Sequence, residues 1–377
     1  MKRKKPKPPR RAASEVVAAA FAAYERGEVA VAERMYREVL EHEPAHDAAL
    51  SLLAMILMER GDPGAAVALL TRAIAIAPEV AWYYLNLGHA YAAVGLDERA
   101  VEAMTASARL DLASSIPRYD LARHHLRHGR PGEALVALRD VLDCDPSHER
   151  ARFLAASLSG GHVDAAPADY VTELFDGYAA SFEAHLVNAL NYKVPERLAE
   201  LVAVDGHAPQ RAWRVIDLGC GSGLGGVAFR GFARHLVGSD LSPRMVEVAR
   251  ARGVYDELHV DDLVATLRGA TDIDLVVAAD VFIYVGALDA PFGAASAALR
   301  AGGLFAFSTE HCEGNGYQLL PTCRYAHSEG YIRELAQRHG LAIRAARETE
   351  LRVDHGVPVS GQLYLLAATP RAPAQPR

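Results

Sequence analysis

Four glycines, Gly27, Gly61, Gly95 and Gly129, stand 34 residues apart along the first half of the chain. Five positions after each comes an alanine, Ala32, Ala66, Ala100 and Ala134. Seventeen positions after each come Pro44, Pro78, Leu112 and Pro146. A glycine at a fixed phase can end a helix by adopting a left-handed backbone. A small residue lets the next helix approach closely, and a proline stops it. A chain that repeats this pattern builds helix pairs that bury their apolar faces against neighbouring pairs.

The third repeat, "WYYLNLGHAYAAVGLDERAVEAMTASARLDL", is the fullest, with Tyr84, Leu87, Gly88 and Tyr91 on one stripe before the turn. With its period, the pattern over about residues 12–150 resembles the tetratricopeptide repeat. The resemblance implies an α-solenoid of about four repeats over residues 12–159, with a protein or peptide as partner on its concave surface. Arg123, His124, His125, Arg127 and His128, in "ARHHLRHGR", either line that surface or are solvated helix ends. A dimerisation or spacing role for the repeats is the alternative.

The ends and the join have their own chemistry. Seven of the first eleven residues are Lys or Arg, which leaves 33 of the 40 basic residues against 47 acidic ones. Residues 1–11 are expected to be a basic disordered tail, and residues 371–377 another disordered tail. The remainder is too acidic for general nucleic-acid binding, and no apolar run is long enough to span a membrane. "SGGHVDAAPAD" reads as a small-residue linker over 160–169. Cys144, Cys220, Cys312 and Cys323 form no C-x-x-C pair, so a reduced, cytoplasmic protein is expected.

From Tyr170 onward the pattern changes. Strands are expected at Arg214–Leu218, His235–Ser239, Glu257–Val260, Ile273–Ala279 and Gly303–Ser308. Helices follow from near Gly223, Ser242, Asp262 and Leu288. A helix over Ser328–His339 and two strands, Leu341–Leu351 and Gly361–Ala368, close the chain. Apolar strands without alternation predict a parallel sheet covered on both faces. The expected architecture is therefore α followed by α/β, an α-solenoid and then a doubly wound, Rossmann-like domain over 170–370.

In that frame "VIDLGCGSGLGG", Val215–Gly226, sits where the first strand ends and a ligand can bind. Its glycines admit a close backbone approach, and no Gly-Lys-Ser/Thr follows, which argues against nucleotide hydrolysis. Asp217 beside the glycines would repel a pyrophosphate and attract an ammonium, which also disfavours a nicotinamide dinucleotide. Asp240 ends the second strand, 23 residues later, where it can accept from ribose hydroxyls. Asp261 and Asp262 end the third strand, placed to accept from an adenine amino group. An ammonium, a ribose and adenine without phosphate describe S-adenosylmethionine.

"VIDLGCGSG", "VGSDLSPRMVEVAR", "LHVDD", "DLVVAADVFIYVG" and "LRAGGLFAFSTE" stand in an order that resembles class I S-adenosylmethionine-dependent methyltransferases. "ELFDGYAASFEAHLV", "AADVFIYVG" and "RYAHS" narrow the likeness to a bacterial group in which tetratricopeptide repeats precede that domain. The resemblance implies Asp217, Gly219, Cys220 and Gly221 at the methionine moiety, and Asp240 and Leu241 at ribose and adenine. It implies Asp261 and Asp262 at the adenine edge, and Ala279 near the ligand amine. It also makes the segment before the first strand a lid, with Tyr178, Phe182, His185 and Tyr192 as pocket walls or ordinary core.

Methyl transfer is an in-line displacement that asks the protein mainly to align a nucleophile and exclude water. No N-P-P-Y sequence is present. Asp280 and Tyr284 are candidates to face the acceptor, with Phe282 in the core. Glu310, His311, Tyr325 and His327 are candidate proton acceptors or loop residues that shape the pocket. His311, Cys312, Cys323 and His327 lack metal-ligand spacing, and no metal is expected. The acceptor is expected to be an O or N atom of a small molecule or of a protein recruited by the repeats. The alternative is an interaction scaffold whose second domain binds the nucleoside without turnover.

Overall fold

The computed structural model describes residues 12–178, 192–354 and 356–370. The chain divides into two compact units, Met1–Arg152 and Phe153–Arg377. Among the described residues no helix is long and apolar enough to cross a membrane.

The first unit is helical. Its paired helices are α1 (Ala13–Glu25) with α2 (Val29–His42), α3 (Asp47–Glu59) with α4 (Pro63–Ile76), α5 (Ala81–Ala93) with α6 (Asp97–Leu110), and α7 (Ile116–Arg127) with α8 (Pro131–Cys144). Every turn between partners holds one of the periodic glycines, at φ of 79°, 79°, 75° and 66° in chain order. That left-handed conformation favours glycine. The four periodic alanines are all 0% exposed. Helix α5 approaches α6 closely at Gly88, where a Cβ would stand 2.7 Å from Met104 Cγ. The repeats thus form the expected α-solenoid. One expectation fails here, because His124 and His125 neither line a surface nor lie solvated at a helix end. They are 0% and 7% exposed, turned inward by the phase of α7.

A helix α9 (Glu149–Ser159) follows, then α10 (Ala168–Tyr178) and α11 (Val194–Val204). The stretch expected as a linker is tied down. Asp164 O accepts from Gly286 N and Ala287 N at 2.8 Å each, and Ala166 N donates to Tyr284 O at 3.0 Å. The lid candidates Phe182 and His185 and the Tyr178 side chain lie outside the described residues, as do both tails.

The sheet alternates with helices in the second unit: β1 (Trp213–Leu218), α12 (Leu224–Phe229), β2 (Ala233–Asp240), α13 (Pro243–Ala251), β3 (Glu257–Val260), α14 (Leu263–Leu267), β4 (Ile273–Ala278), α15 (Asp289–Ala298) and β5 (Leu299–His311). The first five strands are parallel in the order β3-β2-β1-β4-β5. After β5 come two short strands absent from the sequence reading, β6 (Tyr317–Leu319) and β7 (Tyr325–His327), and then α16 (Glu329–Arg338). The hairpin of β8 (Leu341–Asp354) and β9 (Val357–Ala368) completes the sheet, β9 running antiparallel to β5.

Burial on both faces explains the unbroken apolar strands. Ile216, Leu218, Val276, Ala278, Phe305 and Phe307 pack on the side of α15 and α16. The alternate residues Val215, Leu275, Val277, Leu304 and Ala306 pack on the side of α11 and α12. Phe282 lies in the first of these layers, edge-on to Phe305 and Phe307, as its core assignment required.

Candidate functional site

The order β3-β2-β1-β4 changes direction beside β1, and the carboxyl ends of these strands open into a cavity of about 620 Å³. That volume lies within the range of small-molecule sites. The nine residues expected to contact a donor, Asp217, Gly219, Cys220, Gly221, Asp240, Leu241, Asp261, Asp262 and Ala279, all line it.

The loop after β1 is fixed from two directions. Cys220 N donates to Ser239 O at 2.8 Å, and Gly221 N to Asp240 Oδ2 at 2.9 Å. Gly219 is at φ 59°, with Val281 Cγ2 only 2.6 Å from where a Cβ would be. The later glycines answer a different need. A Cβ on Gly225 would meet Asp217 Oδ2 at 2.5 Å, and one on Gly226 would meet the Tyr255 hydroxyl at 2.6 Å. Those two glycines make room for an internal pair of side chains rather than for a ligand.

That pair redefines Asp217. The Tyr255 hydroxyl donates to Asp217 Oδ2 at 2.6 Å and accepts from Gly226 N at 2.9 Å. Asp217 is 2% exposed, and burial, opposed by the tyrosine hydrogen bond, raises its pKa to about 7. Burial thus holds its proton well above the usual carboxylate range. Asp240 also has its pKa raised by burial, with backbone hydrogen bonds acting against the rise. Its Oδ1 accepts from Ser242 N at 2.9 Å, so each oxygen keeps one further lone pair. Asp262 caps α14, accepting from Val264 N at 2.8 Å and Ala265 N at 2.9 Å. Asp261 Oδ1 accepts from Asp262 N at 2.9 Å.

The cavity continues past β1 towards the ends of β4 and β5. Its wall there includes Val171, Leu174 and Phe175 of α10, Tyr192, Asp280, Tyr284, Arg324 and Arg352. Arg352, only 3% exposed, pairs with Asp280 Oδ2 at 3.0 Å and with Glu310. Burial works against its charge, but the two carboxylates outweigh that and raise its pKa. Burial raises the pKa of Glu310 as well, against the pull of Arg352. The Tyr284 phenol is pushed up by burial although Arg324 hydrogen-bonds it, and the Tyr192 phenol is pushed well up by burial. Both phenols are therefore protonated at neutral pH.

The structure separates the remaining candidates. His327 is 0% exposed, with Nε2 against the carbonyls of Val285 and Gly286 at 3.0 and 3.1 Å; burial lowers its pKa to about 4. Tyr325 is 0% exposed and donates to Val163 O at 2.9 Å. Both are framework of the β7 strand, and neither lines the cavity. His311, at the end of β5, is exposed and stands 3.7 Å from Glu313 Oε1. It too is off the cavity wall. Tyr284 remains on the wall, and Glu310 reaches it only through Arg352. The sequence reading missed Arg352, Tyr255 and Arg324. An arginine inside a strand, "ELRVD", was the available signal for the first.

Residues 215–303 match the family model of a methyltransferase domain. The overlapping stretches 17–81, 53–117, 85–149 and 119–174 match that of the tetratricopeptide repeat. The chain joins tetratricopeptide repeats to a methyltransferase domain. Among solved structures, a SAM-dependent methyltransferase from Methanosarcina mazei is similar at 16% identity, over 43% of this chain and 95% of that one, with TM-score 0.36. MamA from Desulfovibrio magneticus is similar at 22% identity, over 37% of this chain and 78% of that one, with TM-score 0.34. No curated protein matches the chain. The residues matched as a methyltransferase domain begin inside β1 and end inside β5. They therefore contain every strand end that carries the acids of the cavity.

Proposed function

We propose that the chain transfers a methyl group from S-adenosylmethionine to an O or N acceptor. The observation that carries this reading is Asp240. It is a half-buried carboxylate at the end of β2 that accepts from Gly221 N and Ser242 N and stands at the cavity wall. Two adjacent hydroxyls of a ribose suit such a pair of acceptors. The donor set fits the group in charge as well. Asp217, Asp240, Asp261 and Asp262 line one half of the cavity, so a cationic ligand without phosphate is favoured. Asp217 and the Gly219–Gly221 backbone would hold its amino-acid end, Asp240 and Leu241 its ribose and adenine, and Asp261 the adenine edge. Bound there, the sulfonium supplies an activated methyl group.

The chain's own residues then have an aligning task. Val171, Leu174 and Phe175 of α10 and Ile283 line the cavity with apolar surface, which disfavours water beside the reacting groups. Arg324 brings positive charge to the acceptor half, whereas the charge of Arg352 is taken up by Asp280 and Glu310. Arg352 Nε is buried without a hydrogen-bond partner. We assign it to a hydrogen-bond-accepting group of the methyl acceptor. Tyr284, protonated, orients that group by donating a hydrogen bond. The repeats recruit a protein partner or the acceptor itself.

Calorimetric titration of S-adenosylhomocysteine into the wild type and Asp240→Ala tests the reading. Micromolar binding that weakens at least tenfold in the variant supports it, and absence of binding by the wild type refutes it. Binding without transfer of labelled methyl to any acceptor screened would favour the non-catalytic scaffold.

A further inference from the structure

Three departures from the repeat pattern converge on one point of the first unit. Position −5 from the turn glycine is Ala22, Ile56 and Ala90 in the first three repeats and His124 in the fourth. Position −1 is Arg26, Arg60 and Val94, and then His128. Position +2 is Val29, Pro63 and Pro131, but Asp97 in the third repeat. Stacking of α7 on α6 brings these three together. Asp97 Oδ1 lies 3.1 Å from His128 Nε2 and 4.0 Å from His124 Nε2, and one ligand atom from each lies within 4.8 Å of the others.

The His124 side chain is 1% exposed, and neither of its ring nitrogens has a hydrogen-bond partner. Fully buried polar groups without partners are rare in folded proteins, and this one stands where the other repeats place alanine or isoleucine. His128 is oriented from behind: its Nδ1 lies 2.8 Å from His124 O, which directs Nε2 towards Asp97.

We infer that Asp97, His124 and His128 form a binding site for a divalent transition metal, zinc by ligand chemistry, that clamps α6 to α7. Two imidazoles four residues apart on one helix and a carboxylate from its neighbour make an N₂O donor set that zinc accepts. Tetrahedral zinc places its ligand atoms about 3.3 Å apart. The 3.1 and 4.0 Å separations here approach this, so modest side-chain rotation closes the set. His128 and Asp97 are about one-third exposed, which gives the ion a way in and leaves its fourth position to water. Sequence spacing alone predicts no metal, because these ligands come from two different repeats.

The test is titration of zinc into the full chain after chelator treatment, followed by calorimetry and by thermal unfolding. One ion per chain at micromolar affinity or tighter is expected, with an upward shift of the melting temperature. The cobalt form should show visible absorption of a four- or five-coordinate ion. Because His124→Ala could disturb packing, the deciding variants are His128→Ala and Asp97→Asn at part-exposed positions. Each should weaken binding at least tenfold while the zinc-free circular dichroism spectrum stays unchanged. His259→Ala, in the second unit, should leave binding unaltered. Zinc binding that both site variants retain, or no binding by the wild type, overturns the inference.

Discussion

Replacing Asp217 by asparagine should make the ligand-free protein more stable, and increasingly so as the pH rises. An unfolded aspartate ionises near 3.9, whereas burial beside Tyr255 raises the folded value to about 7. Between those values the unfolded chain has released the proton and the native chain retains it. Stability therefore falls as pH rises from about 4 to about 7 and then levels off. Three pH units at about 1.4 kcal/mol each put the full cost near 4 kcal/mol, with about 2.5 kcal/mol of it between pH 5 and 8. Asparagine fills the same space, cannot ionise, and still offers an oxygen to the Tyr255 hydroxyl that now stands 2.6 Å from Oδ2.

The assay is urea unfolding of Asp217→Asn against the parent at pH 5, 6, 7 and 8. Trp213, on β1, reports on the second unit. Trp82, the only other tryptophan and 46% exposed in the first, is replaced by phenylalanine in both proteins to isolate that signal. Other groups titrate in both proteins and cancel in the difference. The variant should be more stable by roughly 4 kcal/mol at pH 8 and by less than half of that at pH 5. A difference that does not change with pH, or a variant less stable at pH 8, would refute the argument that burial holds the Asp217 proton.

Four further expectations follow from the packing. Gly226→Ala drives a Cβ to 2.6 Å from the Tyr255 hydroxyl and should cost about 1–3 kcal/mol by denaturation. Gly132→Ala, in the first turn of α8 with nothing within 4 Å, should instead gain about 0.5–1 kcal/mol. Arg352→Met strands two carboxylates that are 13% and 8% exposed, and should destabilise by about 3–5 kcal/mol; adding Asp280→Asn and Glu310→Gln should recover most of the loss. His327, neutral in the fold to about pH 4, lowers stability as pH falls from about 6.5 towards 4. An NMR titration should find its ring resonances unchanged down to pH 5 or below.

Where the sequence was readable, the reason is local periodicity. A glycine every 34 residues ends a helix whatever it packs against, and the four φ values of 66–79° follow from that alone. The strand ends were readable for a similar reason, since an apolar run closed by an acid and glycines marks a carboxyl terminus that a ligand can reach. Asp240 and Asp261 needed no more than that. What escaped depends on partners remote in the chain. Tyr255 meets Asp217 across 38 residues, Arg352 meets Asp280 across 72, and neither pair has a spacing rule. His327 shows the converse error: a histidine after the fifth strand has the chemistry of a base, but that chemistry requires access. A two-strand excursion, β6 and β7, buries its ring against two carbonyls instead. His124 repeats the lesson from the other side. Its neighbours in sequence are basic, and only the phase of the repeat, which places alanine or isoleucine at that position elsewhere, reveals that the ring must point inward. Reading a repeat by what departs from it locates chemistry that composition hides, because the fold has already fixed where each position faces.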